Sequence, residues 1–327
     1  MRSVHRHGLP LGHTTAIYAT LTRPVKPTTD RRRHLAIHCQ RMSPLADQIH
    51  TACLLEATAA KPGNVHPRQS FADMNYSDLV RSADAVSEIL ARARQQGVGP
   101  TILEATRATA EVVSCNTNLG IILLLAPLAA VPAEESLDEG IGEVLLRLDH
   151  QDTSCVYQAI RLASPGGLGD SDLHDVRDSP SVSLSEAMRV AADRDGVAAA
   201  YHDRFKSVLD WSRRGLAAGE SFAGDWETQV IGLALSIQAE QPDTLIARKC
   251  GQAIAQEASE RAQAVLGAGW PHHPDAAAAL SSFNSWLCDD GHRRNPGTTA
   301  DWVTAALFAA LRENRIVAPN CDSLERP

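Results

Sequence analysis

Polar side chains that could bind a phosphate or transfer a proton occur in short stretches between apolar segments of the chain. In the first stretch, Lys61, Asn64 and His66 surround a Pro-Gly pair, and Asp73 follows a few residues later. Pro-Gly forces a turn and the flanking prolines restrict the backbone, so these side chains are expected to project from a partly fixed loop. Together they could serve a phosphate-containing substrate, although an ordinary surface turn can carry the same residues.

A second polar stretch contains Asn116 and Asn118 immediately before the most apolar segment of the chain. An asparagine is a common N-cap, which accounts for one of the two more readily than for both. The free amides and the positive dipole end of a helix start also suit a phosphate group. Asn118 is therefore a candidate phosphate ligand.

A third stretch, residues 165–169, is rich in glycine and is followed by several aspartates, among them Asp175. Glycine lets the backbone approach a ligand closely, and clustered carboxylates can bind Mg²⁺. The stretch is not a P-loop, because no Gly-Lys-Ser/Thr follows, and it is not a dinucleotide fingerprint, because no strand precedes it. A flexible acidic loop is an equally good interpretation.

Two further stretches place charged residues near predicted helix starts. Asp243 precedes the adjacent cations Arg248 and Lys249, and Asn295 precedes Asp301 across an Asn-Pro-Gly turn. Two neighbouring cations in an acidic chain can hold a triphosphate, whereas a solvated helix end would need no ligand. Asp243 and Asp301 add carboxylates to the same regions.

The segments between these stretches have the periodicity of helices. Aromatic residues are only 4% of the chain, so Leu, Ile, Val and Ala must fill the core, which suits close-packed helices. Leu79, Val86 and Leu90 recur at helical spacing, and the pairs Ser183–Glu186 and Thr298–Asp301 have the spacing of capping boxes. Because no sustained period-two alternation is found, we predict an all-α fold in a single multi-helix domain.

The charge distribution separates the first 41 residues from the rest. Residues 1–41 contain eight basic groups and one acid, which leaves 23 basic and 38 acidic groups for the remainder. We predict a disordered basic leader over residues 1–41, an all-α domain over 42–316 and a C-terminal tail over 317–327. Met42 is also a candidate start codon, in which case the leader is an over-extended gene start. The acidic domain argues against nucleic-acid binding and favours a small anionic ligand.

The cysteines and the apolar segments indicate a cytoplasmic protein. The seven cysteines are scattered without a Cys-x-x-Cys pair, which is typical of reduced thiols. The N-terminus lacks the apolar core of a signal peptide. The most apolar stretch, Leu119–Val131, is too short to cross a bilayer and contains Pro127. We therefore expect neither a membrane nor a nucleic-acid partner, whereas a homo-oligomer is compatible with the sequence.

The polar stretches, taken in order, resemble those of a known family. The chain carries KPGNVHP, Asp73-Met74, NTNLG, DTLIARK and NPGTTAD. This order resembles the triphosphoribosyl-dephospho-CoA synthase family, also called ATP:dephospho-CoA triphosphoribosyl transferases, from about Cys53 to Leu311. Each motif alone is weakly specific, but five in order are hard to obtain by chance.

The resemblance implies an all-α enzyme that uses ATP with Mg²⁺. Such enzymes transfer the triphosphoribosyl group of ATP to the ribose 2′-hydroxyl of 3′-dephospho-CoA and release adenine, which yields a prosthetic-group precursor. Displacing adenine from the ribose requires a carboxylate near the sugar, a base for the acceptor and cations for the triphosphate. Among the available residues, the candidate catalytic ones are Asp73, Asp175 and His66. The candidate ligands of the nucleotide and its phosphates are Lys61, Asn64, Asn118, Arg248, Lys249 and Asn295, and the candidate metal ligands are Asp175, Asp243 and Asp301.

One motif departs from the family pattern. Typical members carry Thr-His-Lys-Gly where this chain has Thr117-Asn118-Leu119-Gly120, so a titratable group and a cation are missing. The loss favours weaker phosphate binding or a different acceptor. Two alternatives therefore stay open: a related ATP- or phosphate-ester-using enzyme of one-carbon (tetrahydromethanopterin-type) cofactor biosynthesis, and a catalytically silent helical partner protein. Only an enzyme requires a particular set of charged residues to converge on one cavity, and we predict that they do: Lys61, Asp73, Asp175, Asp243, Arg248 and Asp301.

Overall fold

A computed structural model describes residues 44–164 and 182–319 of the chain. These ranges contain sixteen helices and no sheet, so the predicted all-α fold is confirmed. The first half comprises α1 (Pro44–Thr58), α2 (Tyr76–Leu90), α3 (Ala93–Gln96), α4 (Val98–Val112), α5 (Leu119–Ala130), α6 (Leu137–Leu146) and α7 (His150–Ala163). The second half comprises α8 (Leu184–Ala191), α9 (Gly196–His202), α10 (Lys206–Arg214), α11 (Glu220–Gly224), α12 (Trp226–Glu240), α13 (Thr244–Cys250), α14 (Gln252–Gly267), α15 (Pro274–Cys288) and α16 (Gly297–Arg312).

Local sequence signals explain where several helices begin. Helix α1 begins at Pro44, a residue suited to the first turn, and α2 begins after Asn75, whose side chain caps it in a capping box with Asp78. Ser183 caps α8 as predicted, because its hydroxyl accepts a hydrogen bond from the backbone N–H of Glu186. The predicted leader over residues 1–41 and most of the predicted tail lie outside the described residues.

The predicted capping box at Thr298–Asp301 is wrong. Helix α16 begins at Gly297, so Thr298 lies inside the first turn, and no side chain of its own segment caps it. The hydrogen-bond acceptor at this helix start is instead the carboxylate of Asp243, which precedes α13 and accepts the backbone N–H of Thr299 at 2.7 Å. A local pattern cannot reveal a cap that a distant segment supplies.

Helix α16 is the central element of the core. Twelve of its sixteen residues are buried, and it packs against α1, α5, α10 and α12. A helix that is apolar on nearly all sides must be enclosed by others. Its N-terminal end is therefore fixed by several neighbours at once.

Helix α5 is the second fully enclosed element, as its apolar sequence predicts. Eleven of its twelve residues are buried, and each buried Leu or Ile contributes about 1.5–3 kcal/mol. Pro127 lacks an N–H, so the carbonyl of Leu123 one turn earlier loses its helical donor. The hydroxyl of Tyr201 on α9 donates to that carbonyl at 2.7 Å. This hydrogen bond connects α9 to α5 through the Leu123 carbonyl, the group that Pro127 leaves without a helical donor.

No helix in the described ranges combines the length and the apolar character needed to cross a bilayer. The described residues 44–164 and 182–319 belong to one compact unit.

Candidate active site

The polar stretches meet around the N-terminal end of α16. A Cβ on Gly63, which has a φ of +76°, would lie 2.9 Å from Pro296, so the first stretch packs directly on the last. A Cβ on Gly120 would lie 2.0 Å from the carboxylate of Asp301, which places the second stretch against α16 as well. The carboxylate of Asp243 bonds Thr299 from the fourth stretch. Four stretches that are far apart in sequence therefore lie together at this helix end, and the third stretch lies outside the described residues.

Asp243 links α13 to α16. Its Oδ1 accepts the N–H groups of Leu245 and Ile246 at 2.9 and 3.0 Å, and its Oδ2 accepts the N–H and hydroxyl of Thr299 at 2.7 and 2.8 Å. The side chain is completely buried, and this burial raises the pKa of its carboxyl group. Four protein donors account for the carboxylate without a metal ion.

Lys61 is a buried cation beneath the first loop. Its Nζ lies 2.8 Å from the carboxylate of Glu56 and also donates to the carbonyls of Glu56 and Ala59. The Lys61 and Glu56 side chains are only 1% and 8% exposed. Sequence reasoning missed Glu56, although a lone acid within the apolar run of α1 is a signal that could have found it.

His66 is neutral at physiological pH. Its Nδ1 accepts the backbone N–H of Arg68 at 3.3 Å. Burial, with the nearby charges of Arg68 and Lys61, lowers the pKa of His66 to about 4, against an opposing effect of Glu227. A neutral imidazole can form hydrogen bonds, but it does not supply the proton of an imidazolium. Glu227, a second residue missed from sequence, also accepts the N–H of Ala60 at 3.2 Å.

The remaining residues of the first loop have different environments. Asn64 is buried, and its backbone carbonyl accepts the side-chain amide of Gln69 at 2.8 Å. Asp73 is exposed. The nearby Phe71 ring contacts the His292 ring at a tilt of 31°, with ring centroids 4.3 Å apart, which joins this loop to the loop before α16.

The two asparagines of the second stretch have separate roles. Asn116 lies two residues before the N-cap position, which Asn118 occupies, and its Oδ1 accepts the N–H of Leu119, the first residue of α5, at 3.1 Å. Asn118 is buried, and its Oδ1 accepts the hydroxyl of Thr109 at 3.1 Å. The hydrogen bond at the helix start thus explains Asn116, and Asn118 is held in place by α4.

Lys249 and Arg248 are held by different partners. Lys249 donates to Oδ1 of Asn295 at 2.8 Å, and burial lowers its pKa against the opposing charges of Asp243 and Asp73. Arg248 forms an ion pair with Asp195, the N-cap of α9. Asp195 is a third residue of the site that sequence reasoning did not assign.

Asp301 has the least satisfied carboxylate of the site. It is half-buried, and no side chain or backbone group of the described residues donates a hydrogen bond to it. Burial raises its pKa well above the ordinary value, and the charges of Glu56, Asp243 and Asp195 add to this effect, whereas Arg248 opposes it. Such perturbation is typical of functional carboxylates.

Part of the predicted set cannot be placed. Asp175, predicted to be catalytic and metal-binding, and the glycine-rich residues 165–169 lie outside the described residues. Within residues 44–164 and 182–319, no group of three or more His, Cys, Asp or Glu side chains is arranged to hold a metal ion.

Cations, amides and one unsatisfied carboxylate surround an enclosed helix end, an arrangement that suits a phosphate-containing ligand. The family model described as ATP:dephospho-CoA triphosphoribosyl transferase matches residues 42–319, and the chain belongs to this family. It is therefore a transferase that moves the triphosphoribosyl group of ATP to dephospho-CoA or a related precursor.

A solved structure shares the fold. The crystal structure of a protein provisionally described as a triphosphoribosyl-dephospho-CoA synthase, from Archaeoglobus fulgidus, superimposes with a TM-score of 0.56. It is 24% identical and covers 72% of this chain and 98% of its own. No curated protein matches the chain. Membership of an enzyme family does not favour the silent partner protein considered above.

Proposed function

We propose that Asp301 is the carboxylate that faces the ribose of ATP during transfer. Displacement of adenine from C1′ passes through a state with positive charge on the sugar, which a nearby carboxylate stabilises. The proposal rests on one observation about Asp301: the described residues offer its carboxylate no hydrogen-bond donor. The backbone of Gly120 approaches it closely, which leaves one side of the carboxylate lined by main chain.

The triphosphate is proposed to lie along α13. Arg248 and Lys249 are adjacent cations there, and Asn295 fixes Lys249 by a hydrogen bond of 2.8 Å. Guanidinium and ammonium groups are the usual phosphate ligands in proteins. Asn64 and Asn118, both buried beside the same helix end, are proposed to orient the nucleotide by hydrogen bonds.

Lys61 is proposed to act at a distance. Its ammonium group is enclosed and paired with Glu56, so its contribution is a fixed positive charge under the loop rather than a direct phosphate contact. That charge also helps to keep His66 neutral. His66 is therefore proposed to serve as a hydrogen-bonding group or a base.

The acceptor hydroxyl needs a base, and Asp73 is proposed for this role. Its carboxylate is exposed and its charge acts on Lys249, which supports a position near the proposed phosphate site. An exposed carboxylate can reach a second substrate that enters from solvent. Asp175 stays a candidate for the same role.

The described residues do not fit a magnesium site built by the protein. Both oxygens of Asp243 accept hydrogen bonds, and no cluster of three ligating side chains occurs in the described ranges. Any Mg²⁺ is therefore proposed to enter with the triphosphate, as is common for nucleotide substrates. Removal of Mg²⁺ by a chelator should then reduce ATP binding without changing the melting temperature of the free protein.

The acceptor is proposed to be 3′-dephospho-CoA or a related precursor. Leu119 is buried and apolar where typical members carry a lysine, so this site has one cation fewer for the acceptor or the triphosphate. A cytoplasmic location and a homo-oligomeric state stay predictions.

The test measures adenine release from ATP. The full chain is incubated with ATP, Mg²⁺ and 3′-dephospho-CoA, and then with pterin or furan precursors in place of dephospho-CoA. Asp301→Asn should lose at least about a hundredfold in rate, whereas Asp138→Asn, an exposed carboxylate on α6, should behave as wild type. Adenine release with only a different acceptor would reassign the acceptor. No adenine with any acceptor would refute glycosyl transfer.

A further inference from the structure

The carboxylate of Asp195 makes two different contacts. Its Oδ1 accepts the N–H groups of Val197 and Ala198 at 3.0 and 3.1 Å, which caps α9. Its Oδ2 pairs with Nη1 of Arg248 on α13. One side chain therefore joins a helix start to a cation of the proposed triphosphate site.

The position of Asp195 is fixed by the core. The next residue, Gly196, donates its N–H to Thr244 at 3.1 Å and accepts the indole N–H of Trp302 at 3.2 Å. A Cβ on Gly196 would lie 2.3 Å from the Trp302 ring, so only glycine permits this approach. Thr244 in turn bonds Thr298 at 3.0 Å. The anchor for Arg248 is thus tied to both α13 and α16.

Two charged groups besides its anchor interact with Arg248. Lys249 follows it in sequence, and the carboxylate of Asp301 on α16 interacts with its charge. The Nε of Arg248 is buried and lacks a hydrogen-bond partner in the described structure. Without an anchor, the guanidinium group would be attracted to the unsatisfied carboxylate of Asp301.

We infer that Asp195 is a positioning residue that holds Arg248 for the triphosphate and keeps it from closing an ion pair with Asp301. The inference rests on the proposed function, because it concerns the same site. The Oδ2 contact occupies one edge of the guanidinium group and leaves its remaining donors for a phosphate. The same contact keeps Asp301 free to face the ribose.

A purely structural role for Asp195 predicts something different. If the side chain only capped α9, any residue that caps equally well could replace it. Asparagine and serine are both good N-caps, but neither carries the negative charge that pairs with Arg248. Glutamate keeps the charge but is a poorer cap. The substitutions therefore separate the two contacts of one side chain.

The experiment measures ATP binding by calorimetry, steady-state kinetics and melting temperature for each full-length variant. Asp195→Asn and Asp195→Ser should melt close to wild type but show a KM for ATP raised about tenfold. Asp195→Glu should melt lower, yet recover part of the ATP affinity. The control is Asp149→Asn, an N-cap of α7 that accepts two backbone N–H groups at 2.7 and 3.0 Å and lies at the surface. Its KM should be unchanged.

Two outcomes would overturn the inference. The first is a wild-type KM in both Asp195→Asn and Asp195→Ser, and the second is a loss of affinity that follows melting temperature in all three variants. If wild type itself fails to bind ATP, the proposed function fails, and that result is distinct because it needs no variant. If Asp195→Asn does not fold, Asp195→Ser gives the same comparison.

Discussion

The carboxylate of Asp243 should contribute more to stability than an ordinary helix cap. It caps α13 through two backbone N–H groups, and it also accepts the N–H and hydroxyl of Thr299 on α16. All four donors would lose this acceptor in Asp243→Ala. The perturbation therefore removes both a cap and the link between two helices that carry the active site.

The expected loss can be worked out from these four bonds. Replacing an N-cap aspartate by alanine costs about 1 kcal/mol. Each of the two Thr299 donors, left buried without an acceptor, costs about 1–3 kcal/mol. Removing a carboxyl group whose pKa is raised by burial offsets part of this loss. We expect Asp243→Ala to lower the free energy of unfolding by about 3 kcal/mol.

Urea denaturation followed by circular dichroism measures this loss. With a slope of about 3 kcal/mol per molar urea, the midpoint should fall by about 1 M. Asp149→Ala is the matched control, because Asp149 caps α7 with two backbone bonds but is exposed. Thr299→Val, which removes only the hydroxyl donor, should have an intermediate effect. If Asp243→Ala shifts the midpoint no further than Asp149→Ala, the link to α16 contributes nothing and the reasoning is refuted.

Asp301, Gly120 and His66 give further expectations. Because the pKa of Asp301 is raised in the folded state, folding takes up protons, and stability falls as pH rises through the folded pKa. Asp301→Asn should remove this pH dependence of the melting temperature and should melt higher at pH 7. An unchanged pH profile of the melting temperature would contradict this expectation. In Gly120→Ala, the new Cβ would lie 2.0 Å from the Asp301 carboxylate, so the carboxylate must move by about 1 Å. We expect kcat to fall about a hundredfold because of this displacement. An unchanged kcat would exclude Asp301 from the chemistry. The pKa of His66 is lowered to about 4, so folding releases protons and stability should fall as pH drops from about 6.5 toward 4. The urea midpoint measured against pH reports this fall, and His66→Asn should flatten the profile. Parallel profiles for the variant and wild type would show that His66 is not the titrating group.

Local sequence patterns were sufficient for the helical fold. The periodicity through Leu79 and Leu90 marks α2, the proline at Pro44 marks the start of α1, and the apolar run after Leu119 marks an enclosed helix. These signals are local, since spacing, capping and burial depend on neighbours within a few residues. The same patterns placed the first two polar stretches before helices, whereas Arg248, Lys249 and Asp301 lie inside α13 and α16.

The partners of the polar residues could not be predicted in the same way. Asp243 has the residue type of a metal ligand, but its oxygens are occupied by Thr299 and by its own helix start. Lys61 has the type of a phosphate ligand, but it is enclosed with Glu56. Residue type fixes what a side chain can bind, whereas its partner depends on which distant segment packs against it.

The sequence by itself determined that this protein is helical and, through the order of its polar stretches, to which family it belongs. Only the tertiary structure decided which charges are already paired and which remain available. Asp301 and Asp243 are both aspartates near helix starts, yet one has no donor in the described structure and the other has four. The difference arises because the packing of α13 and α5 on α16 directs donors toward one carboxylate and main chain toward the other.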